Sequence, residues 1–95
     1  MAEDVANSLD KRLAARPEHL KRLQALQEVG RLLLAGPFPA IDSTDPGPAG
    51  FSGSLIVAEF SNLDEATIWA NNDPFVISNV YKSVTVKPFR KTLPN

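Results

Sequence analysis

Residues 36–53 constrain this chain more than any other stretch. They contain Gly36-Pro37, Pro39, Asp45-Pro46-Gly47-Pro48, Gly50 and Gly53. Proline fixes φ and removes a backbone donor, and glycine favours turns, so neither a helix nor a central strand is expected to cross this segment. It reads as one long loop, and a loop of that length in a compact domain is often functional. On one side of it the chain is mostly helical. On the other it opens with a strand.

Before the loop, residues 8–28 have helical spacing. Ser8 is placed to cap the first turn, and Leu9 and Leu13 share an apolar face at i, i+4. Pro17 is expected to divide this stretch in two. It disfavours helical geometry at Arg16 yet suits the first position of a second helix. Leu20, Leu23 and Leu26 continue that second helix, and Gly30 ends it. Residues 31–35 are a short apolar run expected as a buried strand. After the loop, residues 54–60 form the clearest strand. Asn62 then caps a helix, with Glu65 at the capping-box distance and Ala66, Trp69 and Ala70 along it. Residues 80–87 alternate as a half-buried final strand, with Val80, Val84 and Val86 on one face.

The order is α-β-β-α-β. It predicts an α+β fold of the ferredoxin-like type, βαββαβ, with an antiparallel sheet and helices on one face. No apolar strand precedes Ser8, so the first strand is expected to be missing. The 95 residues form a single domain, 1–95.

Composition narrows the function. A net charge of -1 gives no basic field for nucleic acid. The acidic Met1-Ala2-Glu3-Asp4 is not a secretory signal, and no apolar run is long enough for a bilayer, so a cytoplasmic protein is expected. With no Cys and one His, there is no metal-ligand set and no thiol chemistry. No phosphate-cradling glycine motif or other cofactor motif is present, and Gly50-Phe51-Ser52-Gly53-Ser54 lacks the spacing of a nucleophile elbow.

Few residues are left for chemistry. His19 lies at the angle of Leu23 and Leu26, toward the core. In the first turn of a helix starting at Pro17 it would meet the positive end of the dipole, which disfavours imidazolium and suits a base. It could equally fill a boundary position as a hydrogen-bonded core histidine. Asp73, before Pro74, fits a structural cap, a carboxylate that orients an imidazole, or both. Asp42 is an alternative partner for His19, while Asp45 belongs to turn chemistry. Arg16 and Arg31 could meet an anionic substrate or simply be solvated.

Taken in order, Arg16-Pro17-Glu18-His19-Leu20, Gly30-Arg31-Leu32, Ala35-Gly36-Pro37, Asp42-Ser43-Thr44-Asp45-Pro46-Gly47, Asp73-Pro74-Phe75 and Val86-Lys87-Pro88-Phe89 resemble the YciI-like, or YCII-related, family over nearly the whole chain. The resemblance implies a ferredoxin-like fold of the dimeric α+β barrel type, and hence a homodimer. It implies a His–Asp active centre, matched here by His19 and Asp73. Arg16, Gly36, Pro37, Asp42 and Phe75 are then candidate substrate contacts. One relative is similar to a dehydrochlorinase of chlorinated hydroxyhydroquinones, so proton abstraction or elimination on a small aromatic, enol or lactone substrate is the expected reaction. A non-catalytic ligand-binding or dimeric interaction domain is the alternative. Relatives place a short apolar strand ahead of the segment matching Ala2-Glu3-Asp4; here Met1 meets Ala2 directly.

Overall fold

A stripe of small and apolar positions on the first helix sets the architecture. In the computed structural model, which describes residues 1–94, α1 runs unbroken over Leu9–Glu28. Arg12, Ala15, His19, Leu23 and Leu26 are buried along it at helical spacing. Pro17 therefore does not divide the helix. It lies on the exposed face, and the carbonyl it deprives of a partner belongs to Leu13, which is 60% exposed and can turn to water. Packing of the buried stripe outweighs the local cost. Leu13 is thus not on the apolar face. Ser8 occupies the cap position without capping: its backbone is already helical, at φ -79° and ψ -9°, and its hydroxyl donates to Asp4.

The chain continues through β2 (Leu32–Pro39), β3 (Phe51–Ala58), α2 (Leu63–Asn71), α3 (Pro74–Ile77) and β4 (Tyr81–Val84). A short β1, Ala2–Asp4, precedes α1. The sheet is antiparallel in the order β2-β3-β1-β4, the ferredoxin-like arrangement. The first strand is therefore present. It pairs Ala2 with Ser54 and Glu3 with Gly53 on one side, and Ala2 with Val84 and Glu3 with Ser83 on the other. Three residues of Ala-Glu-Asp carry no strand propensity; their two neighbours supply the geometry.

The proline-rich segment is shorter than expected. β2 reaches Pro39 and β3 begins at Phe51, which leaves residues 40–50 as the loop. Gly36, Pro37 and Pro39 fit into β2 because it is an edge strand, where a missing donor breaks no ladder. The same position leaves β2 mostly exposed rather than buried, with Leu34 at 53%. In β4 the register slips between Glu3 and Asp4, so Tyr81 opposes Asp4 and Ser83 opposes Glu3. This bulge leaves Lys82 over and brings both Tyr81 and Val84 to the helix side. Asn62 caps α2 as its sequence indicates, accepting from the Glu65 amide at 2.8 Å.

Ala15, Phe75 and Val80 form the centre of the core, with Tyr81 set edge-on to Phe75 at 5.4 Å. Burial pushes the Tyr81 hydroxyl up to about 12. Asp73 and Asp4 add to the shift, while Ser54 and Arg12 oppose it. Ser54 does not reach hydrogen-bond geometry, and Tyr81 Oη is enclosed without a partner.

Two expectations follow. A Cβ at Gly53 would overlap the carbonyl oxygen of Ala2, which is backbone and cannot swing away. Gly53→Ala should lower stability by about 1–3 kcal/mol in denaturant unfolding; an unchanged midpoint would show that β1 is not held against β3. For Tyr81 the fold favours the neutral phenol. That contribution is whole below pH 10 and is lost as pH rises from about 10 toward about 12, where the unfolded chain gives up its proton first. Absorbance of the sole tyrosine should titrate near 12, and Tyr81→Phe should flatten the alkaline stability loss in that window.

Candidate functional site

α1 and the start of α3 bring the sole histidine to an aspartate. His19 Nδ1 stands 2.7 Å from Asp73 Oδ1, and both residues are buried. Asp73 is held from three sides. Its Oδ1 also accepts from the Phe75 amide at 2.9 Å, which caps α3, and its Oδ2 accepts from Arg22 at 3.2 Å. Asp-Pro places this carboxylate where the chain turns from α2 into α3, so the cap and the contact with His19 coexist on one side chain. With Nδ1–H donated to the carboxylate, Nε2 of His19 has no hydrogen-bond partner among the described residues. Tyr81 Oη alone among the described side chains is fully enclosed and unpaired, so Nε2 keeps contact with the surface.

His19 lies in the middle of α1, not in a first turn. The helix dipole consequently has no special hold on it. Its ring stacks on Phe75, with centroids 3.9 Å apart and planes 7° from parallel. Arg22 is fixed in turn, donating to the Trp69 carbonyl at 2.7 Å with its guanidinium 4.3 Å from the indole centroid.

A second buried pair lies on the other side of Phe75. Arg12 holds Asp4 through two hydrogen bonds, and donates to the Gly53 carbonyl at 2.7 Å and to Ser54 Oγ at 2.8 Å. Its guanidinium carbon is 5.1 Å from the Phe75 centroid and 5.9 Å from that of Tyr81. Every buried charge here has a partner and several hydrogen bonds, the condition under which burial of ions is tolerated.

A cavity of about 910 Å³ opens beside these pairs. Its apolar wall includes Ile56, Ala66, Trp69 and Val84, and its polar end carries Ser54, Asp73 and Tyr81. β1 is so short that, past Ala2, residues 55–58 of β3 and 85–89 face each other across this space. A mainly apolar recess with a few convergent polar groups is the usual form of a small-molecule site.

The structure gathers some of the sequence candidates and separates others. His19, Asp73 and Phe75 are together, with Phe75 supporting the imidazole rather than lining the cavity. Arg16 is exposed on α1, Gly36 and Pro37 are exposed on β2, and none of the three lines the cavity. Asp42 is exposed in the loop and makes no contact with His19, whose partner is Asp73. Sequence reasoning missed Asp4, Arg12, Arg22, Ser54, Trp69 and Tyr81 as members of this region. For Arg12 a signal existed: it stands seven residues before His19, on the same helix face.

A family model, the YCII-related domain, matches residues 1–90. Protein YciI of Escherichia coli O6:H1 is 59% identical over 90 residues, covering 95% of this chain and 92% of that protein. An uncharacterized protein of Haemophilus influenzae is 54% identical over the same length and shares. Among solved structures, 5-chloro-2-hydroxyhydroquinone dehydrochlorinase of Burkholderia phenoliruptrix AC1100, in complex with 2,5-dihydroxybenzoquinone, superposes with a TM-score of 0.79 at 24% identity, covering 94% of this chain and 88% of that one. At that identity the likeness is one of fold. The ferredoxin-like sheet and the match along nearly all of its length make this chain a member of the YCII-related family.

Proposed function

We propose that this chain is a cytoplasmic enzyme acting on a small aromatic, enol or lactone substrate through the His19–Asp73 pair. The observation that carries the reading is the buried 2.7 Å contact between the two side chains, with Nε2 unpaired among the described residues. Nε2 takes a proton from the substrate. The electron pair of the broken bond forms a new double bond and, in an elimination, expels a leaving group such as halide. Asp73 keeps Nδ1 as the donor and stabilises the imidazolium until Nε2 passes its proton to water. The fold likeness to a dehydrochlorinase supports elimination as the first reaction to try.

One observation favours a second reading, a binding domain without turnover. The cavity is lined by Asp73, Ser54 and Tyr81, but not by His19. In that reading His19 is a structural prop between Phe75 and Asp73.

The same proposal includes a homodimer. Leu55 and Val57 of β3 are only half-buried among the described residues, and α1, α2 and α3 are few elements to cover both faces of a four-stranded sheet, so a second copy would complete the burial.

Chloride release from 5-chloro-2-hydroxyhydroquinone decides between the two readings. Turnover should fall about 100-fold or more in His19→Ala and markedly in Asp73→Asn, with folding checked by NMR. Absence of release in the wild type, with the ligand still bound, would leave the binding reading. Sedimentation should give twice the chain mass; a monomer at micromolar concentration would remove the dimer from the proposal.

A further inference from the structure

An imidazole accepts a proton only while it is neutral, and the partner of His19 pulls the other way. The Asp73 carboxylate lies 2.7 Å from Nδ1, with its side chain 3% exposed. The closer and less screened a carboxylate is, the more it favours imidazolium, the form that cannot act as a base. Burial of the ring opposes that pull, and a counter-charge on the carboxylate opposes it further.

Arg22 supplies that counter-charge. It stands three residues after His19 on α1, so both side chains leave the helix on neighbouring positions toward one carboxylate. His19 meets Oδ1, and Arg22 Nη1 donates to Oδ2 at 3.2 Å. α2 fixes the guanidinium from its other side. Nη2 donates to the Trp69 carbonyl at 2.7 Å, and the guanidinium carbon lies 4.3 Å from the indole centroid. A guanidinium keeps its charge throughout the physiological range, so this cation is permanent. The other charged groups around the imidazole are matched among themselves. Across Phe75, Arg12 of α1 is paired with Asp4 of β1. Tyr81 of β4, edge-on to Phe75, is a neutral phenol. Glu18 and Lys21, near His19 in sequence, pair with each other in solvent.

We infer that Arg22 is a positioning residue of the His19–Asp73 pair: its guanidinium compensates the buried carboxylate, so the imidazole stays neutral while Asp73 still holds Nδ1–H. The inference rests on the His19–Asp73 reading and adds a direction to it. With the cation in place His19 starts as a base; without it the pair shifts toward an imidazolium that can act only as an acid.

The test reads the proton on the sole histidine directly, by ring 15N NMR of the whole chain near neutral pH. Arg22→Met keeps an apolar stem and removes the charge. The imidazolium-to-imidazole ratio should rise about three- to tenfold over wild type, a modest factor because the Arg22 side chain is 24% exposed and partly screened. Arg22→Lys returns a cation and should bring the ratio back toward wild type. An unchanged ratio in Arg22→Met, or an equal rise in Arg22→Lys, would overturn the inference. Should Arg22→Met not fold, Arg22→Gln keeps a donor for the Trp69 carbonyl and should show the same rise. Asp73→Asn, measured alongside, separates the two readings. The ratio should fall in that variant, and if it does not, the pair itself fails. A fall in Asp73→Asn with no rise in Arg22→Met leaves the pair standing and removes Arg22 from it.

Discussion

The contact between Arg12 and Asp4 is the one the rest of the structure depends on. Asp4 ends a three-residue strand with no apolar side chain beyond Ala2. Such a strand does not hold its place by propensity or burial. Arg12 ties it to α1 and at the same time reaches β3 through Gly53 and Ser54. One guanidinium thus fixes the register of three elements. Loss of Arg12 would leave the Asp4 carboxylate buried without its counter-charge, the costly half of breaking a buried pair.

Phe75 links this anchor to the histidine. One buried ring lies between the imidazole of His19 and the guanidinium of Arg12. Its amide caps α3 on Asp73, so the residue that stacks beneath the imidazole also sets the carboxylate that meets it. Structural and candidate chemical roles are shared among the same few side chains. A substitution at Phe75 would alter both pairs at once, and separate effects at His19 and Arg12 are not expected to add.

The α+β class, the strand after the loop and the capped α2 were legible because each left a local mark, an apolar run or an Asn62–Glu65 spacing; the Asp-Pro step marked Asp73 only as a cap, and its pairing with His19 followed from the family resemblance. What escaped notice depends on partners far along the chain. β1 is a strand only because Ser54 and Val84 lie beside it. α1 survives Pro17 only because the opposite face is buried. β2 tolerates its prolines only because it is an edge. The helix spacing could place Arg12 on the face of His19 but not name its partners, since a guanidinium that meets a carbonyl 41 residues away leaves no mark of that contact in the sequence.

The unbroken α1 also makes the helix a ruler. Arg12, His19 and Arg22 project from it toward β1, the head of α3 and the end of α2. Their positions are set by about 1.5 Å of rise and about 100° of rotation per residue. One residue inserted or removed between Arg12 and His19 would turn the imidazole by that angle away from Asp73 while Arg12 stayed in place. Variation in length should therefore be filtered very unevenly along this chain. It can accumulate at the exposed positions 40–42 of the loop between β2 and β3, and is barred from one short span of helix whose side chains are spaced to meet three different parts of the fold.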